Sequence, residues 1–584
     1  MKANAELVAG LVAHLLLIGA PGVAAALYAV RRGLKDVPVI LAIALVVSGV
    51  TAFAGFWAYY ASSMTGQAWT FLLFFGSVLA IGWLWRAGGL DRGVLRQLAT
   101  PLALWVLGSC FVVFLGFLHG GVDNPIPMSA LRFSFQLPSD NDIPRYFTEW
   151  FATHGHQNPP PLYPPDWLMS DRPPLQVGYA LSERGFFNTA NGLHYEILCV
   201  IVQSLWIVGM WAVLLAARLR PRTRALAMFA ALLSDIALVH GFFVWPKLIA
   251  AAFLLAALAI VISPAWRRGR LDPRVGALVG ALLALAMLSH GSSIFGVIPL
   301  VLLAAFRGVP SWRWLGVAIA AGLALMVPWT AYQHYADPPG NRLLKWQLGG
   351  DITLDSKGTL EAIEDGYSEV GFEGAVDLKE ENFGEIVGWP RTKDEYEGAV
   401  DALDEGHPGT AAARVRGLRF FSLLPFIGLL LVGPLAMLFA RLRGSPRDED
   451  DWRFALVCFA FFFVACLCWG LLLFGTPDSR ATIHVGSLAV PLLGVVGCVA
   501  GLRACYPRLA AAVVGLNVLF VLALYTPSLE PPPGSSYSPL TALLAVASLA
   551  ALAWVTFRGS GGDGGAATIG ATEPARTLAP ARPS

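Results

Sequence analysis

The sequence predicts an all-α, polytopic membrane protein. Apolar residues make up 56% of the 584 residues, charged residues make up only 14%, and the mean hydropathy is +0.61. Uncharged stretches near the ~20 residues that cross a bilayer recur along the chain. The charged residues are gathered between these stretches, which is the pattern of a bundle of spanning helices.

Fifteen apolar segments have the length and composition of membrane spans. They lie near 7–30, 37–60, 68–86, 99–118, 197–217, 225–243, 247–263, 275–290, 292–306, 314–332, 418–440, 454–474, 484–502, 507–526 and 540–557. The first is too long for a cleaved signal peptide, so we expect it to remain as a helix. The connection at Ser289–Ser292 leaves little room for two full crossings, and a broken or re-entrant pair is the alternative there. We therefore predict about 13–15 transmembrane helices.

The distribution of Arg and Lys predicts the orientation. Alternate connections carry clusters of positive charge, and these include Arg31, Arg32 and Lys35, Arg86, Arg92 and Arg96, Arg218 to Arg224, Arg267 to Arg274, Arg307 and Arg313, Arg441 to Arg453, and Arg503 and Arg508. The positive-inside rule places this set in the cytoplasm. The two long polar connections, 119–196 and 333–417, then face outside.

These connections divide the chain into five parts. We expect N-terminal transmembrane helices over 1–98, a transmembrane core over 99–332, an external loop over 333–417, C-terminal spans over 418–557, and a disordered cytoplasmic tail over 558–584. The 333–417 loop carries seventeen Asp or Glu against four Lys or Arg between Asp351 and Glu405. This composition predicts a small, partly helical cap whose carboxylates mainly keep its surface in contact with water.

The sequence gives no indication of a metal, a nucleotide or a nucleic acid. The seven cysteines lie in or beside apolar runs without metal-ligand spacing, so we expect neither a zinc site nor a disulfide framework. A Gly-rich phosphate loop is also missing, so no nucleotide cofactor is expected. We predict no cofactor and no nucleic-acid partner, and the lipid bilayer as a partner.

The most informative segment lies in the first external loop, at 140–176. Asp140 or Asp142, just above the membrane, is placed to take a proton from an acceptor hydroxyl group. Arg145 and Arg172 are suited to binding a phosphate group through paired hydrogen bonds. The alternative is that the acidic residues cap helices of the loop and the arginines neutralise them.

At these residues the chain resembles the GT-C superfamily of membrane glycosyltransferases, especially the bacterial aminoarabinose transferases and protein O-mannosyltransferases. In that superfamily a catalytic Asp is followed three and four residues later by Arg and Tyr, which Asp142, Arg145 and Tyr146 match. A Pro-Pro-Leu stretch closes the loop, as it does here at 173–175. Ile143 stands where many members have a second acidic residue, so the choice of base between Asp140 and Asp142 stays open.

The resemblance implies a GT-C-like bundle and an inverting sugar transfer. A polyprenyl-phosphate-linked monosaccharide is the implied donor, and a hydroxyl group of an envelope glycan, lipid or protein is the implied acceptor. The Asp would act as general base while preorganised positive charge stabilises the leaving phosphate. The expected location is a bacterial inner membrane with the site facing the periplasm.

Other polar residues at the outer helix ends are further candidates. Lys247 and Arg480 are candidate phosphate ligands, with interfacial snorkelling and pairing with Asp478 as their respective alternatives. The candidate substrate-binding residues are Tyr146, Asp171, His290 and His484.

Two other classes compete with the transferase. A lipid-linked-saccharide flippase or other transporter requires charges along a path through the membrane, and Asp235 is one of the few charged residues inside a predicted span. A polysaccharide polymerase or ligase also uses lipid-linked sugars beneath a large external loop.

Overall fold

The computed structural model describes residues 2–133, 137–162, 167–389, 391–444, 448–476, 480, 482–528 and 536–559. The predicted all-α fold is confirmed, because this part of the chain is helical and contains no strand beyond one isolated bridge between Leu162 and Trp167. The predicted tail over 558–584 lies almost wholly outside the described residues.

Helices occupy the chain in five groups. The N-terminal group is α1 (Lys2–Arg31), α2 (Val37–Ala61), α3 (Ser63–Arg86) and α4 (Arg92–Gly116). The first external segment holds α5 (Pro125–Leu131), α6 (Ile143–His154) and α7 (Leu175–Leu181). The central group is α8 (Gly192–Gln203), α9 (Trp206–Ala216), α10 (Pro221–Leu232), α11 (Asp235–Phe243), α12 (Lys247–Ile262), α13 (Trp266–Gly269), α14 (Pro273–Ser289), α15 (Ile294–Phe306) and α16 (Trp312–Ala331).

The cap and the C-terminal bundle follow. The cap holds α17 (Arg342–Gly349), α18 (Thr359–Val387), α19 (Arg391–Asp404) and α20 (Pro408–Phe421). The last group is α21 (Leu423–Ile427), α22 (Val432–Arg443), α23 (Glu449–Leu472), α24 (Ala489–Cys505), α25 (Pro507–Tyr525) and α26 (Pro539–Gly559).

Helices correspond to all fifteen predicted spans. Within the described residues, eleven helical stretches are long and apolar enough to cross a membrane, and α10 with α11 forms a twelfth that is bent by 47°. The shorter apolar helices α12, α14 and α15 occupy the three remaining predicted positions. The sequence did not predict the bend between α10 and α11, where Ser234 caps α11 by accepting a hydrogen bond from the amide of Ala237.

The bundle has a central layer and a lipid-facing layer. All residues of α12 are buried, as is the whole 485–502 stretch of the span Val485–Cys505, whereas only 17% of an 18-residue stretch of the spans formed by α3 and by α16 is buried. Large apolar side chains such as Phe306, Leu79 and Trp85 are exposed on the outer helices, where lipid replaces a protein neighbour. Lys247 therefore lies at the N-terminal end of the most enclosed helix of the bundle.

The loop predicted over 119–196 ends a few residues earlier in the structure, because α8 already begins at Gly192. The segment before it, α7, packs against α2, and the Tyr179 hydroxyl lies 3.0 Å from that of Ser48 near the middle of α2. All residues of α7 are buried. We name the segment 175–191 the re-entrant hairpin, because its helix α7 reaches the middle of α2 and packs against it.

Candidate functional site

Asp140 and Arg172 form an ion pair that joins the two ends of the candidate segment. Asp140 lies in the short 3-10 turn Ser139–Asn141, and Arg172 follows the turn Met169–Asp171. The Arg172 guanidinium donates a 2.6 Å hydrogen bond to the Asp140 carboxylate, and both side chains are mostly buried. The pairing of a predicted base candidate with a predicted phosphate ligand places both in one cluster.

Buried Asn141 fixes the backbone between the two aspartates. Its side-chain amide donates hydrogen bonds of 2.7 Å to the Ser129 hydroxyl and 3.2 Å to the Ile126 carbonyl. Its own carbonyl accepts a bond of 3.3 Å from the Tyr195 hydroxyl of α8. The acidic turn is therefore anchored to the bundle, which limits the positions available to Asp140 and Asp142.

Lys247 supplies a second cation to the same place. It is fully buried at the first position of α12, and its charge interacts with those of Asp140 and Arg172. The ammonium group lies 3.9 Å from the centre of the Trp245 ring and 3.3 Å from Nε2 of His290. A cation buried against an aromatic face is protected from water, so its attraction to an anion is strengthened.

A strained turn presents Lys247. Val244 has a φ of +52°, which a β-branched residue rarely adopts. Its carbonyl accepts a 2.9 Å hydrogen bond from the side-chain amide of Gln176 in α7, and the same amide donates to Tyr195 at 2.9 Å. Gln176 therefore connects the re-entrant hairpin to the turn before Lys247, and strain of this kind is concentrated at functional sites.

His290 connects Lys247 to the C-terminal half of the chain. Its Nδ1 lies 2.8 Å from the Ser292 hydroxyl and 3.3 Å from the Ser292 amide nitrogen. Ser292 in turn lies 2.9 Å from the hydroxyl of Ser487, which precedes α24. The backbone of 482–488 thus approaches the cluster, but the His484 side chain lies outside the described residues.

Asp142 has a separate partner on its own helix. It precedes α6 and accepts a 2.5 Å hydrogen bond from Nε of Arg145. Its side chain makes no capping bond to the first turn of α6, so the predicted helix-cap role does not describe it. The other part of that alternative, neutralisation of the aspartate by an arginine, is what the Asp142–Arg145 pair shows. Tyr146 packs beside Trp150, with ring centroids 6.3 Å apart.

Asp171 connects the first loop to the cap. Its carboxylate accepts hydrogen bonds from the Leu168 amide at 3.0 Å and from Arg342 of α17 at 3.3 Å. Burial raises the pKa of Asp171, and the nearby guanidinium groups of Arg342 and Arg172 partly oppose this effect. Both guanidinium groups also lie over the Trp167 ring, at 5.0 and 4.4 Å.

Arg480 is bound to the cap. Its guanidinium pairs with Glu381 and donates to the Asn382 side chain of α18 at 3.2 Å and to the Gly475 carbonyl. Asp478, the alternative partner, lies outside the described residues. Among the described residues, Arg172 and Lys247 are close enough for their charges to interact, whereas no contact joins Arg480 to either of them.

Three contributors to the cluster were missed from the sequence: Asn141, Gln176 and Trp245. Gln176 alone carried a signal, because it is a polar residue in the otherwise apolar run of α7. Among the described residues, no group of three or more His, Cys, Asp or Glu is arranged to hold a metal ion. Asp140 and Asp142 line neither the crevice between α1, α2, α3 and α7 nor the crevice beside Asp36 and Arg218.

Comparison with known proteins identifies no relative. No protein-family model, curated protein or solved structure matches the chain. The membrane fold therefore stands on the sequence and the structure, and any activity has to be argued from the cluster itself.

Proposed function

We propose that the chain is a GT-C-type glycosyltransferase of a bacterial inner membrane, with its site on the periplasmic side. The observation that carries the proposal is the cluster of Asp140, Arg172, Lys247 and His290, drawn from four separate segments to the outer end of the buried helix α12. A carboxylate beside two cations suits a reaction in which a hydroxyl group loses a proton and a phosphate group leaves.

The two cations provide the phosphate site in this proposal. Arg172 supplies a planar guanidinium that can bind two phosphate oxygens, and Lys247 supplies a compact charge in a poorly hydrated position. The donor would be a sugar on a polyprenyl phosphate, whose tail enters from the bilayer. A membrane-soluble donor is consistent with a site at the outer end of spanning helices.

Asp142 is the proposed general base, and Asp140 is proposed to position Arg172. A base must lie on the side of the anomeric carbon opposite the leaving phosphate, whereas Asp140 touches the proposed phosphate ligand itself. Asp142 lies two residues after Asp140 in the chain, beyond the anchored Asn141. Its carboxylate accepts a hydrogen bond from Arg145. It also occupies the position that matches the Asp of the resembling family.

The transporter alternative receives less support from the described structure. Asp235, the charge inside a predicted span, accepts hydrogen bonds of 2.5 and 2.8 Å from Arg419 and one of 3.0 Å from Tyr525. A carboxylate with three such bonds is satisfied as a structural ion pair and does not need a passing ion.

The proposal is tested by donor turnover with purified protein in lipid nanodiscs. The probe is a set of short-chain polyprenyl-phosphate sugars carrying a radiolabelled sugar, and the readout is released or transferred label. Arg172→Gln should abolish turnover, while Arg414→Gln, which breaks the Arg414–Glu395 pair of the cap, serves as a matched control. Equal turnover by both variants contradicts the phosphate site. Mass spectrometry of envelope glycans from a deletion strain then identifies the sugar and acceptor.

A further inference from the structure

A second polar cluster, away from the candidate site, lies where α1 meets the re-entrant hairpin. Glu183, 2% exposed, follows α7 and pairs with Nδ1 of His14, which is fully buried near the middle of α1. Nε2 of His14 lies 3.0 Å from Nδ1 of His194 in the first turn of α8. Nε2 of His194 lies 3.7 Å from the carboxylate of Glu6, whose side chain is 43% exposed.

Each imidazole in this series uses both of its nitrogens. His194 faces Glu6 with one nitrogen and His14 with the other, and His14 faces His194 and Glu183 in the same way. An imidazole can accept a proton at one nitrogen and release another from the opposite nitrogen. The four side chains therefore form a continuous series from an exposed carboxylate to a buried one.

The inner end of the series faces a small crevice. Glu183 lines this crevice of about 20 Å³ between α1, α2, α3 and the hairpin, whose lining is mainly apolar but includes the hydroxyl-bearing residues Ser48, Thr51, Thr70 and Ser182. Among the described residues, no hydrogen-bond partner is found for the second oxygen of Glu183, Oε1. A buried carboxylate with one oxygen unsatisfied is costly, and a proton bound at the other oxygen lowers that cost because it removes the negative charge.

We propose that Glu183 is a proton-binding site that exchanges protons with the external solution through His14, His194 and Glu6. In the inward direction, a proton from water binds Glu6 and passes to Nε2 of His194. Nδ1 of His194 then gives its proton to Nε2 of His14, and Nδ1 of His14 gives its proton to Oε2 of Glu183. One proton moves inward, the carboxylate becomes a carboxylic acid, and each imidazole ends as its other neutral tautomer.

The groups around Glu183 leave His14 as its principal charged neighbour. The other titratable side chains on the packed elements include Tyr179 of α7, which lines the same crevice, Tyr59 of α2, and His194, Tyr195, Glu196 and Cys199 of α8. The adjacent Arg184 is neutralised by Glu149 of α6 at 3.0 Å, and α3 offers only the Thr70 hydroxyl. Protonation of Glu183 therefore depends mainly on the state of His14.

Infrared difference spectroscopy after a rapid pH step tests the proposal without any enzyme assay. With the whole protein in nanodiscs, a step between about pH 8 and pH 5 spans the range in which histidine titrates. The wild type should gain a carboxylic-acid C=O band that Glu183→Gln loses and Glu149→Gln keeps. His14→Gln and His194→Gln should lose the fast phase of this band, whereas His154→Gln, on an exposed external histidine, should retain it.

Two results overturn the proposal. One is the absence of a pH-dependent band that requires Glu183. The other is wild-type kinetics of that band in both His14→Gln and His194→Gln. His194 is partly exposed at the surface, so its variant tests the path even where Glu183→Gln fails to fold.

Discussion

Arg172 and Asp140 lie 32 residues apart in the chain, and a 2.6 Å hydrogen bond joins their side chains. The bond joins the two parts of the loop near the first residue of α12, where Lys247 adds a second positive charge. Neither residue is an ordinary surface charge, since their side chains are only 16–17% exposed. The pair brings the two ends of the segment 140–172 together and so assembles the candidate site.

The first prediction separates the two aspartates. Asp142→Asn should reduce sugar transfer by about 10²–10⁴-fold, the usual contribution of a general base, with donor binding retained. Asp140→Asn should instead raise the donor KM, because Arg172 loses the carboxylate that positions it. Transfer rates at saturating donor distinguish the two effects. Wild-type transfer by Asp142→Asn together with an inactive Asp140→Asn would reverse the assignment.

A second prediction concerns the three candidate phosphate ligands. Arg172→Gln and Lys247→Gln should each lower donor kcat/KM by about 10²–10³-fold, as removal of one oxyanion donor does. Arg480→Gln should act mainly on the cap, since Arg480 is bound to Glu381 and Asn382. The measurement is donor hydrolysis in the absence of an acceptor. A loss in Arg480→Gln as large as that in Arg172→Gln would show that all three cations serve one anion.

The re-entrant hairpin provides a third prediction. An added Cβ at Gly178 would lie 2.4 Å from the Ala52 carbonyl oxygen, so Gly178→Ala must displace α7 from α2. We expect a loss of about 1–3 kcal/mol in stability, the usual cost of overpacking. Gly316→Ala is the matched control, because a Cβ there meets nothing within 4 Å. The measurement is the midpoint of thermal unfolding of both variants in the same detergent. Equal midpoints for Gly178→Ala and Gly316→Ala would contradict the close packing of α7 against α2.

A fourth prediction tests the link from Gln176 to the turn before Lys247. Gln176→Leu leaves the buried Val244 carbonyl without its 2.9 Å donor, which should cost about 1–3 kcal/mol. Donor turnover should fall as well, because the strained turn at Val244 loses its support. Asn341→Leu, at a cap residue whose side-chain amide donates a 3.0 Å hydrogen bond to the Lys357 carbonyl, is the control. Turnover unchanged in a destabilised Gln176→Leu protein would separate stability from the site.

The last prediction is that the cap controls acceptor access. Helices α19 and α20 enclose a small apolar cluster of their own, formed by Ala399, Ala402 and Ala411, so replacing α19 with a Gly-Ser linker should leave the bundle intact. We expect a changed acceptor KM with donor hydrolysis nearly unchanged, since the donor arrives through the bilayer. Neutralising Asp394, Glu395 and Glu397 should reproduce the effect at low salt. Simultaneous loss of both activities in a folded variant would place catalytic residues in the cap.

The sequence alone determined the membrane fold, because a helix that spans the bilayer requires a long apolar run, and such runs are visible in the amino-acid sequence. It also identified Asp140, Arg172 and Lys247 as candidates, since charged residues at the ends of apolar helices are few. Whether these residues serve sugar transfer stays a proposal that the experiments above decide.

Only the tertiary structure decided which of these residues meet. The Asp140–Arg172 pair, the proximity of Lys247 and the attachment of Arg480 to α18 depend on helix packing between distant segments. The re-entrant position of α7 was equally hidden, because a seven-residue apolar run is too short to cross the bilayer and its depth is set by contact with α2. The series from Glu6 to Glu183 likewise exists only where α1, α8 and the hairpin converge, since periodicity along one chain carries no record of such contacts.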